Sequence, residues 1–478
     1  MFAKKVYGVG IKGTGMCALA ELLHGQGVSV SGSDTGERFY TNDILSQLHI
    51  PFYESFDAAH VPLDADIIIH SAAYNTETNP ELAYAKRMGL KIMKYTDALG
   101  EYSKLFYSCG ICGVNGKTTT AIMTGALLRG LSMPAQVLAG SASENFARAD
   151  GGARSCINLG NNYFVAETCE YRGHFLSFQP RIIVLTNIEH DHQDFFPTYE
   201  SIRDMFIQYI HKLPPDGILI YCADDKGAVE AVSMIQNKSI TTVPYGFKAN
   251  GDYKIDSCVT AAGKTEWTLA GFGKKPLTLY IPGRHNVLNA AAAAALSSEL
   301  FRHYKKERAL PESAVDAICR AFAGFRGGKR RCEIVGQAGG VLFIDDYGHH
   351  PTAIKTTLEG LKEFYSGHRI IVSFMPHTYT RTAALLSEFA ACFDAADILY
   401  LHKIYPSARE QYNGTISGKT LFEETKKHHS CVYYIDEHEN AASEILPVLK
   451  DGDVFVTVGA GDNWKLGRAL YSAKQRHI

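Results

Sequence analysis

Several things are missing from this chain of 478 residues, and each absence narrows what the chain can do. It has no strong charge of either sign, because 48 basic side chains face 50 acidic ones for a formal net charge of -2. Nothing global therefore draws it to nucleic acid or to an anionic membrane, and any anionic ligand must be held by local devices. It has no apolar run near the roughly 20 residues of a spanning helix. The best candidate, residues 290–296, is short and alanine-rich and reads as a packed helix. No apolar leader with a small-residue cleavage site precedes the first glycines, so the expectation is a cytoplasmic protein without membrane insertion. The 11 cysteines form no disulfide framework, and their odd number argues against full pairing. Cys109 and Cys112 have the spacing of a redox or half-zinc motif, but no second such pair accompanies them; small residues in a buried strand are the simpler reading. Disorder and short repeats are also missing. At 46% apolar and 21% charged the composition is that of a globular protein, long enough for roughly two to four domains.

What the chain does have is a strand running into glycines and then a helix, more than once. KKVYGVGIKGTGMCALAELLHGQG followed by VSVSGSD is the opening of a parallel βαβ unit. DADIIIHSAA repeats the idea, a buried strand ending in small polar residues. KLFYSCGICGVNGKTTTAIMTGALLRG starts a second nucleotide fold after a linker expected near residues 101–104, and YFVAE, RIIVL and DGILIYC follow as strands. AGFRGGKRRCEIVG, rich in glycine and arginine, suits a domain junction. After it VLFIDD, HRIIVSF, ADILYL and DVFVTV read as further buried strands alternating with helices. The fold class is therefore α/β.

The chemistry sits at the ends of these strands, where open α/β sheets gather ligands. Gly8, Gly10 and Gly13 make a GxGxxG turn that lets backbone N–H groups approach a diphosphate, and Asp34 falls where an acid meets a ribose hydroxyl. NAD and a UDP group both present that diphosphate and ribose, so the motif does not choose between them. Gly113, Val114, Asn115, Gly116, Lys117, Thr118 and Thr119 form the stronger signal. Ile111 stands where the strict P-loop pattern has glycine, yet the physical needs survive: turned-in N–H groups, a lysine for terminal phosphates and a hydroxyl for Mg²⁺, with ATP as the expected ligand. Glu167 ends one strand, and Asn187, His190, Asp191, His192 and Asp194 follow the next; Glu167 and His192 are candidate metal ligands beside Thr118. His285, Asn286 and Asn289 fall near the first turn of the alanine-rich helix, with the two asparagines on one face. Arg326, Arg330 and Arg331 offer phosphate neutralisation, or simply a solvated basic junction. Asp345, Asp346, Tyr347, His349 and His350 crowd one strand end in a way that suggests a site.

Taken in order, GVNGKTTT, the glutamate after YFVA, TNIEHDHQD, PGRHNVLNA, GKRRCE, DDYGHHPTAI, PHTYTRT and VTVGAGD resemble the Mur ligase family along essentially the whole chain. The resemblance implies three domains: a Rossmann-like UDP-substrate domain over 1–103, a central MgATP-binding P-loop α/β domain over 104–325, and a Rossmann-like closing domain over 326–478. It implies that Gly10, Gly13, Thr14, Gly15, Asp34 and Ser71 lie near the UDP-linked substrate. It implies that the loop Gly113–Thr119 holds ATP together with His285, Asn286, Asn289, Arg326 and Asp346, that Lys117 contacts its phosphates, and that Thr118, Glu167 and His192 serve Mg²⁺. It places Tyr347, His349, His377 and Arg381 around the amino acid. The implied reaction is ADP-forming: a muramyl-type carboxylate takes the γ-phosphoryl group of ATP, and the amine of L-alanine then displaces phosphate from the acyl phosphate. His349 and Asp191 are both candidates for the group that takes the amine's proton. A monomer or homodimer is expected.

Some positions depart from the alanine-adding pattern. Asn115 replaces a histidine, Thr168, Cys169 and Arg172 interrupt an ordinarily acidic segment, and Thr378 replaces an arginine, removing one bidentate anion clamp. These changes leave room for a specialised paralogue, or for a tripeptide-recycling muramate ligase. Arg203 stands near where sister ligases carry a carbamoylated lysine, and an arginine does not readily form that carbamate. A dehydrogenase would account for the first glycine motif but leave GVNGKTTT idle, and a simple P-loop ATPase would do the reverse. Hinges are expected near residues 101–106 and 323–329.

Overall fold

Short runs of branched residues flanked by glycine and small polar residues favour buried parallel strands, and three such sheets form. The structure, a computed structural model, describes residues 2–147, 151–236, 239–406, 410, 412, 414 and 416–476. In the first sheet Lys5–Val9 lies at the centre, in the order Phe52–Tyr53, Ser29–Ser33, Lys5–Val9, Ile67–His70, Ile92–Lys94, with every pairing parallel. The helix Thr14–Gly25 follows the first glycine turn and packs onto the strand Arg154–Asn158 of the second sheet. There the buried Glu21 accepts from the Ser155 backbone N–H at 3.0 Å, beside Arg154.

The second sheet runs Thr241–Tyr245, Ile218–Cys222, Ile182–Leu185, Tyr107–Cys112, Tyr163–Glu167, Ala135–Ser143, Arg154–Asn158. Only the last of these strands is antiparallel to its neighbour. Cys109 and Cys112 are fully buried in the strand Tyr107–Cys112, as small core residues. The alanine-rich segment belongs to the helix Arg284–Lys305, where Ala290 to Ala295 are all buried. Their small side chains let this helix lie close against the helix Lys117–Gly130. A small antiparallel sheet of Ile255–Ala261, Lys264–Leu269 and Leu277–Leu279 follows. Residues 101–104, expected as a linker, instead close the helix Tyr95–Ser103. The reason is an apolar stripe of Ala98, Leu99 and Tyr102; Tyr102 is fully buried and donates to Gln136 Oε1 at 2.6 Å.

The third sheet has the order Glu333–Ala338, Val341–Asp346, Val454–Val458, Ile370–Phe374, Ile398–Leu401, Val432–Tyr434, with its first strand antiparallel. Residues 327–329 lie along the second sheet, where Ser143 Oγ donates to the Gly327 carbonyl and Lys329 N–H to the Ala142 carbonyl. Among the described residues no helix is long and apolar enough to cross a membrane.

Within the third sheet, His402 is completely buried, close to Ser373 Oγ at Nε2 and to the Ile435 carbonyl at Nδ1, both at 2.8 Å. This pairing suits the neutral ring, and burial drives its pKa from 6.5 to about 4. The unfolded chain then takes up a proton below about pH 6.5 while the fold resists it until about pH 4, so stability falls as pH drops through that window. The expected contribution is on the order of 1 kcal/mol per pH unit. Urea midpoints at about pH 7 and pH 5 check this: the drop should be smaller in His402→Asn, and an equal drop in both proteins would contradict it.

Candidate active site

The loop 113–116 joins the strand Tyr107–Cys112 to the helix Lys117–Gly130. Gly116 has φ 83°, and a Cβ there would run into Asn289 Oδ1 on the helix Arg284–Lys305, so only glycine fits on both counts. Asn115 is held from both sides: its N–H donates to Asn187 Oδ1 at 2.9 Å, and its carbonyl accepts from Thr186 Oγ1 at 2.6 Å. Thr119 stands half-buried in the first helical turn. Lys117 folds back over the loop, donating to the carbonyls of Gly113 and Val114 and to Glu170 Oε2 at 3.0 Å. Burial alone would lower the Lys117 pKa, but Glu170, Cys169 and Glu167 together outweigh burial and the amine is raised. Conversely, burial would raise Glu170, yet Lys117 and His192 hold it below the usual carboxylate range.

Beside this pair, Thr118 Oγ1 donates to Glu167 Oε2 at 2.7 Å, and the same oxygen accepts the Gly140 N–H at 2.8 Å. His192 Nε2 lies 3.6 Å from Glu170 Oε1, on a residue with φ 55°, a strained conformation of the kind that collects at functional sites. From across the domain junction Arg331 donates to Thr118 Oγ1 at 3.2 Å. Glu170 is thus a charged group beside Lys117 that the sequence did not single out, while Arg331, one of the three candidate junction arginines, reaches Thr118.

On the neighbouring helix Asn289 Nδ2 donates to Asn286 Oδ1 at 3.2 Å and Asn286 Nδ2 to the Pro282 carbonyl at 2.7 Å, so both asparagines face one way. His285 has a buried Nδ1 with no hydrogen-bond partner, and burial lowers its pKa. The Asp346 carboxylate accepts from the backbone of Cys332 at 2.9 Å and Gly348 at 2.8 Å. Arg326 lies elsewhere: it donates to the carbonyls of Ala323 and Phe325 and, with Arg129 and Arg320, lines a cavity of about 550 Å³ between the helices Lys117–Gly130 and Glu312–Ala323.

The first sheet brings Gly10, Gly13, Thr14, Gly15, Asp34 and Ser71 together. Gly10 has φ 80°, and a Cβ would lie 2.7 Å from the Tyr74 ring and 2.9 Å from Ser71 Cβ. The Gly13 N–H donates to the Gly10 carbonyl at 3.1 Å, Thr14 Oγ1 lies 3.4 Å from the Tyr40 hydroxyl, and Gly15 lies under the Tyr95 ring. Asp34 accepts from the Lys12 N–H at 2.7 Å, which fixes its side chain beside the turn.

From the third sheet, the Tyr347 ring lies against the guanidinium groups of Arg330 and Arg331, at 5.1 and 5.0 Å. Arg381 crosses to the central sheet's loop and grips Asp191, Nε to Oδ1 at 2.9 Å and Nη2 to Oδ2 at 3.3 Å, with both side chains buried. Burial would raise Asp191, but Arg381, His192 and His349 together outweigh it and keep the carboxyl far below its usual range. His377 Nδ1 is 3.3 Å from Arg381 Nη1, and burial together with that cation takes His377 to about 4. His350 is buried beside Glu189. His349 is half-buried, its ring 6.2 Å from that of His377.

Of the departures, Cys169 is exposed, and Arg203 pairs with Glu230 at 2.6 Å on the helix Tyr199–Ile210. Thr378 adopts φ 68° and ψ 139°, a region nearly reserved for glycine, although its own side chain makes no capping bond. Thr378→Gly is therefore expected to stabilise the protein by about 1 kcal/mol, read as a higher unfolding midpoint; a lower midpoint would contradict the strain.

Three sequence profiles match in order: one described as "Mur ligase family, catalytic domain" over residues 5–107, "Mur ligase middle domain" over 111–297, and "Mur ligase, glutamate ligase domain" over 330–461. The UDP-N-acetylmuramate–L-alanine ligase of Treponema pallidum is 47% identical over 471 residues, covering 98% of this chain and 96% of that protein. The enzyme of the same name from Borreliella burgdorferi is 38% identical over 466 residues, covering 96% and 97%. Among solved structures, the UDP-N-acetylmuramate–alanine ligase of Thermotoga maritima shares the fold with a TM-score of 0.75 at 24% identity, covering 99% of this chain and all of that one. A murein peptide ligase from Psychrobacter arcticus gives a TM-score of 0.67 at 21% identity, covering 99% of each.

Proposed function

Because the chain belongs to the Mur ligase family, we propose that it is an ATP-dependent, ADP-forming ligase that joins L-alanine to the carboxylate of UDP-N-acetylmuramate, a step of peptidoglycan precursor synthesis. The substrates rest on the relative 47% identical over 98% of the chain. The reaction class rests on one convergence: Lys117, Thr118, Glu167, Glu170 and Arg331, from both sides of the domain junction, meet around the loop 113–116.

Phosphoryl transfer asks a protein mainly for positioning and for neutralisation of charge. The loop N–H groups and the N-terminus of the helix Lys117–Gly130 face the place of the phosphates, and Lys117 needs only to swing from the Gly113 and Val114 carbonyls to reach them. Arg331 adds a second cation from the far side of Thr118. Thr118 and Glu167 give an oxygen-rich donor set that suits a hard cation, while His192 lies against Glu170, the partner of Lys117; Mg²⁺ held by Thr118 and Glu167 would neutralise the phosphate oxygens. Asn286, Asn289 and Asp346 would orient the nucleotide, and the glycine turn with Asp34 would hold the UDP end of the acceptor. Arg381 would meet the carboxylate of the amino acid, exchanging part of its grip on Asp191 for it.

ADP release from MgATP should require both UDP-N-acetylmuramate and an amine, with L-alanine preferred over glycine, L-serine and a tripeptide, and the amide should be seen by mass spectrometry. ADP release without the acceptor would sink this reading. Preference for the tripeptide would move the assignment to a recycling ligase.

A further inference from the structure

The amine that enters the second step must lose a proton, and the sequence leaves Asp191 and His349 as candidates to take it. The structure separates them by what their lone pairs already do. Asp191 Oδ1 accepts from Arg381 Nε at 2.9 Å and from the His192 N–H at 2.7 Å, while Oδ2 accepts from Arg381 Nη2 at 3.3 Å. Protonating it means breaking a buried ion pair. His377 is spent as well. Its Nδ1 faces the Arg381 guanidinium at 3.3 Å, which can only donate, so Nδ1 carries the lone pair and Nε2 the hydrogen. His190 Nε2 lies 2.9 Å from the Phe196 carbonyl, and His350 is buried with its Nδ1 3.4 Å from Glu189 Oε2.

His349 has the opposite arrangement to His377. Its Nδ1 lies 3.1 Å from the Tyr347 carbonyl oxygen, which can only accept, so Nδ1 holds the hydrogen and Nε2 the lone pair. Among the described residues, none donates a hydrogen bond to that Nε2. The groups around the ring are the Arg381 cation, the Asp191 carboxylate, His377 at 6.2 Å and the Tyr347 ring at 5.3 Å. Burial and Arg381 together keep the ring neutral. A base for this step need not be strong, because nitrogen becomes much more acidic once it bonds to an acyl carbon.

Resting on the ligase reading above, we propose that His349 Nε2 accepts the proton that nitrogen loses as the amide bond forms. The neutral amine's lone pair makes the C–N bond, and the carbonyl π pair moves onto oxygen. The N–H proton passes to Nε2. The carbonyl then re-forms, and the bond from carbon to the phosphate oxygen breaks with its electron pair leaving on phosphate. His349 later returns the proton to water.

Hydroxylamine separates this role from a structural one, because its nitrogen is weakly basic and attacks acyl phosphates with little need of a protein base. With the full-length protein, MgATP and UDP-N-acetylmuramate, His349→Gln should slow alanine amide formation by roughly 10²-fold or more. Hydroxamate formation by the same variant should stay within a few-fold of the unaltered protein, which also shows that it is folded and makes the acyl phosphate. Equal losses with both nucleophiles, or an unchanged alanine rate, would overturn the proposal. Asp191→Asn should raise KM for alanine and leave the rate at saturating alanine near normal; if it instead reproduced the His349→Gln pattern, Asp191 would be the base. Hydroxamate missing even with the unaltered protein would bring down the acyl-phosphate reading itself, and this proposal with it.

Discussion

Lys117→Met is expected to lower the rate of ADP release by roughly 10³-fold at saturating substrates, with the protein still folded. The amine is the mobile cation of the phosphate loop: it lies against the Gly113 and Val114 carbonyls and Glu170, and each of these contacts is one it can trade for a phosphate oxygen. Removing it costs twice. The phosphates lose a cation, and the Glu170 carboxylate, 1% exposed, loses its main partner and becomes a repulsive neighbour for the nucleotide. Lys117→Arg should rescue little, because a planar fork does not fit where a compact ammonium turns between two carbonyls. Glu170→Gln should be milder, roughly 10- to 100-fold, since it frees Lys117 without removing it. Steady-state ADP release measures all three. A Lys117→Met rate within about ten-fold of normal would place phosphate stabilisation elsewhere.

Arg381→Ala is expected to raise KM for L-alanine by roughly 10²-fold and to cost about 3–5 kcal/mol of stability. Both effects come from one geometry. The guanidinium is 6% exposed and pairs with Asp191 through two bonds, so truncation strands a buried carboxylate on the opposite domain. The sign is tested by removing the other partner too. Asp191→Ala together with Arg381→Ala should be more stable than Arg381→Ala alone, because no charge is left unpaired, while KM stays high. A double variant that simply added the two losses would mean that the pair is not coupled.

The strand ends were legible in the sequence, because glycine turns and runs of branched residues have few other structures open to them. Glu167 and Asp346 end their strands, Tyr347 follows at once, and Lys117 and Thr118 open the helix after the strand Tyr107–Cys112, as those runs imply. Glu170 was not legible. It stands three residues beyond Glu167, after Thr168 and Cys169, outside any strand and just before the kinked segment Tyr171–Ser177, so no strand or helix period marks its side chain as facing Lys117. The choice among the junction arginines was equally hidden. Arg330 and Cys332 have φ 57° and 47°, and these turns send Arg331 to Thr118 while Arg326 remains on the outer side. Residues 101–104 looked like a linker because of their polar side chains, but the buried face of Ala98, Leu99 and Tyr102 carries the helix through them. The small antiparallel sheet escaped notice because the exposed faces of its strands dilute the apolar signal, as in Ile255–Ala261.

The ligase reading stands or falls on where the carboxylate oxygen goes. UDP-N-acetylmuramate labelled with heavy oxygen in its carboxylate, turned over with MgATP and L-alanine, should pass one labelled oxygen to each phosphate released and keep the other in the amide. Phosphate carrying only oxygen from ATP and water would mean that ATP is hydrolysed rather than used to activate the acid, and would contradict the account at its centre.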